Sequence, residues 1–278
     1  MTKKIEQKLE TLKTFITNKG QNGAAIAFSG GVDSTTLAAI SHQILGKKAI
    51  AIIAQSPTHT PEELQEAQQH AKNIPIDLHI IQTHELKNKK FTQNPENRCY
   101  FCKKEILQTL LTFAHQHDFQ TVFEGTNQSD LKDHRPGFAA IQETPNTYSP
   151  WVAANFTKQE IRQIAKNMGL SVHNKPAHAC LASRIPFNQP ITEQKLNRIY
   201  KAEQAIKQII PVHQLRVRDH NGLARIEVDA SKRNLFFDNG VMDKLRLSLI
   251  QLGFNYVTLD LEGYHTGSML KTLEREKI

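Results

Sequence analysis

Four short apolar runs, separated by helical stretches, constrain the first two-thirds of this chain more than any other feature. Ala24–Phe28, Ala49–Ala54, Ile76–Ile81 and Thr121–Glu124 each have the length of a buried strand. The first run stops at Ser29-Gly30-Gly31, and a helical pattern begins near Asp33 (STTLAAISHQIL). Thr60-Pro61-Glu62-Glu63 supplies an N-cap, an N1 proline and an acidic first turn for a helix reaching about Lys72. KKEILQTLLTFAHQH forms the helix before the fourth strand. Another helix spans Thr157–Met168, with Glu160 at the capping-box position and Gly169-Leu170 at its end. Strands alternating with helices predict an α/β fold, a parallel sheet covered on both faces. The loops after the first and fourth strands then lie at its carboxyl edge, where open sheets bind ligands.

Beyond the proline-punctuated KPAHACLASRIPFNQP the pattern changes. Residues 192–209 read as a helix, 214–228 as a hairpin, 231–252 as a helix and Tyr256–Leu261 as a strand. The expected division is a sheet domain over 1–184 and a smaller α+β domain over 185–278. Residues 84–98 read as a polar connection. With 39% hydrophobic residues and no apolar run near the roughly 18 that a membrane span needs, a globular chain follows. The opening MTKKIEQKLETLKTF is a charged amphipathic helix without leader features, which predicts a cytoplasmic protein. The net charge of +8 admits nucleic acid or anionic metabolites, but the basic residues are dispersed and form no basic arm. The exposed strand edges of a small α+β domain predict self-association into a homo-oligomer.

Ser29-Gly30-Gly31-Val32-Asp33-Ser34 is the most informative hexapeptide. Its glycines let backbone approach a ligand, and the N–H groups of the following helix attract anions. Ser29 and Ser34 add hydroxyls, and Asp33 is a candidate ligand for Mg²⁺ against phosphate oxygens. The bland alternative is an ordinary strand–turn–helix corner. A Walker A loop, GxxxxGK[ST], is absent. The hexapeptide resembles the pyrophosphate loop of the N-type ATP pyrophosphatases, over roughly residues 20–170. That resemblance implies attack on the α-phosphate of ATP, adenylation of a substrate oxygen and release of pyrophosphate. It also implies that Ser56 and the loop Glu124-Gly125-Thr126-Asn127 cradle the adenosine.

Three cysteines cannot form a disulfide framework in a chain this long. Cys99 and Cys102 form a CxxC that the sequence puts before a helix bearing Lys103 and Lys104, a setting that lowers thiol pKa values; Cys180 lies far downstream. Inert thiols, a redox pair, a zinc site completed by His173 or His178, and a three-cysteine [4Fe–4S] cluster with one open iron all remain readings of these residues.

With Asn221-Gly222 as turn centre, the hairpin pairs Arg218 with Arg225, Val217 with Ile226, and Arg216 with Glu227. One face becomes Leu215, Val217, Ile226 and Val228, and the other Arg216, Arg218, Arg225 and Glu227. Three arginines on one face suit an anion, or else form a solvated face compensated by Glu227. Glu203, on the preceding helix, either faces that site or is solvated.

Asp133-His134-Arg135-Pro136-Gly137, the stretch from Lys175 to Arg184, Arg216-Val217-Arg218 and Leu252–Asp260 together resemble the LarE family over nearly the whole chain. The resemblance implies an ATP-dependent sulfurtransferase of nickel-pincer nucleotide synthesis. Its substrate would be pyridinium-3,5-biscarboxylic acid mononucleotide, a carboxylate of which is adenylated and converted to a thiocarboxylate. Arg184, Arg216, Arg218, Arg225 and Glu203 become candidate substrate contacts, and the arginine face a phosphate site. Some members surrender the sulfur of a single cysteine, whereas three-cysteine members hold a [4Fe–4S] cluster. Cys99, Cys102 and Cys180 are similar to the second group, which implies a separate sulfide donor. An iron–sulfur tRNA thiolase and a zinc-binding, ATP-sensing partner protein are the alternatives.

Overall fold

The computed structural model describes residues 2–132, 136–176, 179–265 and 267–270. Asp133, His134 and Arg135 of the family-like segment, and the candidate zinc ligand His178, lie outside the described residues. The helices are α1 (Lys3–Gly20), α2 (Val32–Leu45), α3 (Pro61–Lys72), α4 (Lys89–Thr92), α5 (Arg98–Gln116), α6 (Pro136–Gln142), α7 (Pro150–Ala153), α8 (Lys158–Asn167), α9 (Glu193–Ile209) and α10 (Asn239–Gln251). The strands are β1 (Ala24–Ala27), β2 (Ala49–Gln55), β3 (Asp77–Gln82), β4 (Thr121–Phe123), β5 (Thr147–Tyr148), β6 (Leu215–His220), β7 (Leu223–Val228) and β8 (Tyr256–Leu259). Two compact units result: residues 1–85 with 97–178, and residues 86–96 with 179–278. Among the described residues no helix is long and apolar enough to cross a membrane.

In the first unit, β1–β5 form one parallel sheet in the order β3-β2-β1-β4-β5. The chain moves outward from β1 through β2 to β3, then returns to the other side of β1 for β4. The loops after β1 and β4 therefore leave neighbouring strands at the point where strand order reverses. Side chains alternate as a doubly covered sheet requires. Ala24, Ile26, Ala51 and Ile53 pack with α1, α2 and α8 residues such as Leu12, Ile16, Leu37 and Ile161. Ala25, Ile50, Ile52 and Val122 pack on the other face against Leu107, Leu110, Ala114 and Ile141. The capping box expected at Thr157 is formed with Glu160, and the N-cap expected at Thr60 is completed into a second capping box by Glu63.

The structure corrects four local expectations. The helix expected from Lys103 begins at Arg98, so Cys99 and Cys102 lie inside its first turns and not before it. Lys104 donates to Tyr100 Oη at 2.9 Å and pairs with Glu143 beyond α6 at 3.0 Å, which extends the helix backward. The run 231–252 is broken into a 3₁₀ stretch, Ala230–Phe236, and α10. Asp229 and Asp238 each cap one piece, accepting from Ser231 N and Val241 N. The polar connection contains α4 and a 3₁₀ turn, Glu85–Lys87. Within the second unit, Asn188 N donates to Asn94 O at 2.9 Å and Asn94 Nδ2 to Pro186 O at 2.7 Å, which ties 86–96 to that unit. β5, two residues long, was not foreseen.

The second unit carries an antiparallel hairpin, β6–β7, with β8 parallel to β7. Its register is the one the Asn-Gly turn dictates: Arg216 opposite Glu227, Val217 opposite Ile226, Arg218 opposite Arg225. Asn221 and Gly222 have φ of 55° and 96°, as a type I′ turn requires. Leu215, Val217, Ile226 and Val228 pack with Ile206, Leu245, Leu249 and Phe254, and the arginines face the other way.

Candidate functional site: a phosphate loop at the switch point

Ser29–Gly31 joins β1 to α2, and Gly31 stands at the N-cap position with no side-chain cap. The amides of the first turn of α2 thus have no intrahelical acceptor and point at the loop, as an anion site needs. Ser29 N donates to Ser34 Oγ at 3.1 Å, and Ser34 Oγ donates to Gly31 O at 3.3 Å. The two hydroxyl oxygens are also 3.1 Å apart. Gly30 has φ of 66°, and a Cβ there would lie 2.6 Å from Ala67 Cα on α3. Gly30→Ala is accordingly expected to cost about 1–3 kcal/mol of stability through backbone strain alone. Denaturant melts read the loss, and unaltered stability would contradict this account of the loop.

Asp33 lies one residue into α2 and is the centre of a charged cluster. Its carboxylate pairs with the Lys158 ammonium from the first turn of α8. Asn127 Nδ2 donates to Asp33 Oδ1 at 3.3 Å and to Asp130 Oδ2 at 2.8 Å, joining two carboxylates through one amide. Trp151 Nε1 donates to the Asp33 carbonyl at 3.1 Å. Burial raises the Asp33 pKa above its ordinary value and outweighs the opposing pull of Lys158. Two acids joined through Asn127, one of them paired with a replaceable ammonium, are a hard-oxygen donor set that fits Mg²⁺.

The loop after β4 lies against this cluster. A Cβ on Gly125 would be 3.2 Å from Asp33 Cβ and from Ser34 N, so glycine permits the approach. Buried Glu124 accepts from Lys103 Nζ at 3.1 Å, Thr126 N at 3.0 Å, Thr126 Oγ1 at 2.8 Å and the Ser149 hydroxyl. Lys175 Nζ donates to Gly30 O at 3.1 Å and pairs with Glu66 at 2.9 Å. Ser56 is buried in its own turn, 2.8 Å from Thr58 Oγ1. Neither Asp130 nor Lys158 is singled out by the sequence, which places Lys103 beside the thiols and not against Glu124. Lys158 follows the foreseen cap Thr157 directly, so its place at a helix start was the available signal.

Cys99 and Cys102 belong to the first unit, three residues apart on one helical turn, and Cys180 to the second. None of the three forms a disulfide; Cys99 is exposed and the other two are half-buried. Cys102 Sγ is 3.9 Å from Oε1 of the buried Glu85, whose Oε2 has no hydrogen-bond partner among the described residues. Soft thiolate donors fit iron. Among the described residues no group of three His, Cys, Asp or Glu side chains is arranged to hold a metal ion.

The remaining candidates lie in the second unit, mostly in ion pairs. Glu203 is buried, not solvated: it receives Arg184 Nε at 3.0 Å and Nη2 at 3.3 Å, and Val217 N at 3.1 Å. Arg218 pairs with Glu227 at 2.6 Å. Arg225 pairs with Glu227 at 3.0 Å and with Asp260. Arg216 has no carboxylate in ion-pair contact among the described residues. Its Nη1 donates to Leu215 O at 2.6 Å, and its guanidinium carbon lies 5.2 Å from the Tyr264 ring centre. Burial first, then the Arg184 charge, pushes its pKa down.

Comparison with known proteins agrees with this geometry. The NAD synthase family model matches residues 4–134. An uncharacterised protein of Synechocystis sp. is 41% identical over 98% of this chain and 100% of its own length. Pyridinium-3,5-bisthiocarboxylic acid mononucleotide synthase of Lactiplantibacillus plantarum is 31% identical over 91% of both chains. GMP synthase (glutamine-hydrolysing) of Thermotoga maritima is 22% identical over 75% of this chain and 44% of its own. The phosphate loop and these relationships identify an ATP-utilising enzyme. The chain belongs to the LarE family, that of pyridinium-3,5-bisthiocarboxylic acid mononucleotide synthase.

Proposed function

We propose that the protein is an adenylating sulfurtransferase, converting a carboxylate of pyridinium-3,5-biscarboxylic acid mononucleotide to a thiocarboxylate for nickel-pincer nucleotide synthesis. The observation that carries the first half is the uncapped start of α2 with Asp33 and Asp130 joined through Asn127. ATP phosphates bind the first-turn amides and the Ser29 and Ser34 hydroxyls. Asp33 and Asp130 would hold Mg²⁺, which when bound neutralises phosphate charge, and Lys158, which pairs with Asp33, is within reach to turn to the phosphates. The adenosine lies along Ser56 and Gly125. A substrate carboxylate oxygen attacks the α-phosphorus, a new P–O bond forms and pyrophosphate leaves. Charge neutralisation by fixed amides and lysines lowers this barrier.

A hydrosulfide then forms a C–S bond at the acyl carbon, and AMP departs with the C–O electron pair. Cys99, Cys102 and Cys180 would hold a [4Fe–4S] cluster, which when bound supplies an iron open to a hydrosulfide from an external donor. Arg216 binds the phosphate of the mononucleotide, since Arg218 and Arg225 already have carboxylate partners. Arg216→Ala is therefore expected to raise KM for the mononucleotide about tenfold and to leave KM for ATP within twofold, the loss of one charge-assisted contact. Equal effects on both substrates would contradict the assignment.

A further inference from the structure

Among the described residues, the arginine cluster on and beside the hairpin is charge-balanced except at one point. Four guanidinium groups, Arg184, Arg216, Arg218 and Arg225, meet three carboxylates, Glu203, Glu227 and Asp260. Among the described residues, every ion pair in this group leaves Arg216 out. A half-buried guanidinium with no carboxylate in ion-pair contact needs another reason to stay in one orientation: Arg184 and Arg218 repel it, and the Glu203 carboxylate that attracts it is already held by Arg184.

Tyr264 supplies that reason, and the chain is bent to bring it there. Asp260 Oδ1 accepts from Glu262 N at 2.8 Å and Gly263 N at 3.2 Å, closing a tight turn after β8. Gly263 has φ of 84°, and a Cβ there would lie 2.7 Å from Val228 O, so only glycine lets the turn press on the end of β7. Tyr264 N then donates to Val228 O at 2.8 Å, setting the ring against Arg216 at 5.2 Å. A guanidinium against an aromatic face keeps its in-plane N–H groups available for an anion.

We propose that Tyr264 is a positioning residue, holding the Arg216 guanidinium in the orientation that receives the phosphate of the mononucleotide. The inference rests on the phosphate reading of Arg216 given above. Its test is isothermal titration of the full-length protein with pyridinium-3,5-biscarboxylic acid mononucleotide and with the corresponding nucleoside, which lacks the phosphate. The ratio of the two affinities isolates the phosphate contribution. Tyr264→Leu is expected to reduce that ratio about fivefold without changing nucleoside affinity, and Tyr264→Phe to restore it. An unchanged ratio in Tyr264→Leu, or equal weakening of nucleotide and nucleoside, would overturn the positioning role. Equal affinities of the two ligands in the wild type would instead refute the phosphate reading of Arg216, and this inference with it.

Discussion

Asp33→Asn is expected to reduce kcat/KM for ATP-dependent pyrophosphate release by about a thousandfold, ~4 kcal/mol of transition-state stabilisation. The substitution is nearly isosteric, so the Trp151 bond to the Asp33 carbonyl and the start of α2 persist. What disappears is the negative charge that pairs with Lys158 and that an incoming Mg²⁺ would use. An amide oxygen is a far weaker ligand for a hard divalent cation. The wild-type enzyme should show the same loss reversibly with pH. Metal binding needs the ionised carboxylate, and burial holds the Asp33 pKa above the ordinary aspartate value. Activity should therefore fall, as pH is lowered, at a higher pH than an unperturbed aspartate would give. Pyrophosphate release followed against pH at subsaturating Mg²⁺, where the metal-free carboxylate is titrated, checks both statements. Retention of more than about a tenth of wild-type activity in Asp33→Asn would remove Asp33 from the metal site.

The second large effect concerns the thiols. Cys99→Ser, Cys102→Ser and Cys180→Ser should each leave pyrophosphate release nearly intact and abolish thiocarboxylate formation, by at least the ~100-fold that disturbed metal ligation costs. Serine preserves size but offers a poor ligand for iron, so iron content of anaerobically reconstituted protein should fall in all three. The three substitutions separate the competing readings. A sacrificial mechanism makes Cys180 alone indispensable and Cys99 and Cys102 dispensable. A zinc site makes all three matter for metal content, with zinc and not iron bound.

How much of this was legible in the sequence depends on the range of the interactions. The sheet could be read because Ala24–Phe28 and Ala49–Ala54 are apolar runs whose burial needs nothing but neighbouring strands. The hairpin register could be read to the residue because Asn221-Gly222 fixes the turn and a one-residue slip would bury the arginines. β5 escaped because Thr147–Tyr148 is too short to carry a period. The start of α5 escaped because it is stabilised by the Tyr100–Lys104–Glu143 contact, part of which comes from beyond α6. Within the phosphate site, the loop itself is local and was visible. The Lys158–Asp33 pair joins residues 125 positions apart, so no spacing rule reaches it. Glu203 shows the same limit: its helix was foreseen, but the choice between solvent and the buried Arg184 pair was made by tertiary packing.

The central claim is that this chain adenylates a carboxylate and delivers sulfur catalytically through its three cysteines. The most direct measurement is intact mass of the anaerobically reconstituted protein, after incubation with ATP, Mg²⁺ and the biscarboxylic mononucleotide, with and without sulfide. The account predicts several thiocarboxylates per protein when sulfide is present, little product without it, and an unchanged protein mass throughout. At most one product per chain, with loss of one sulfur from Cys180, would contradict it.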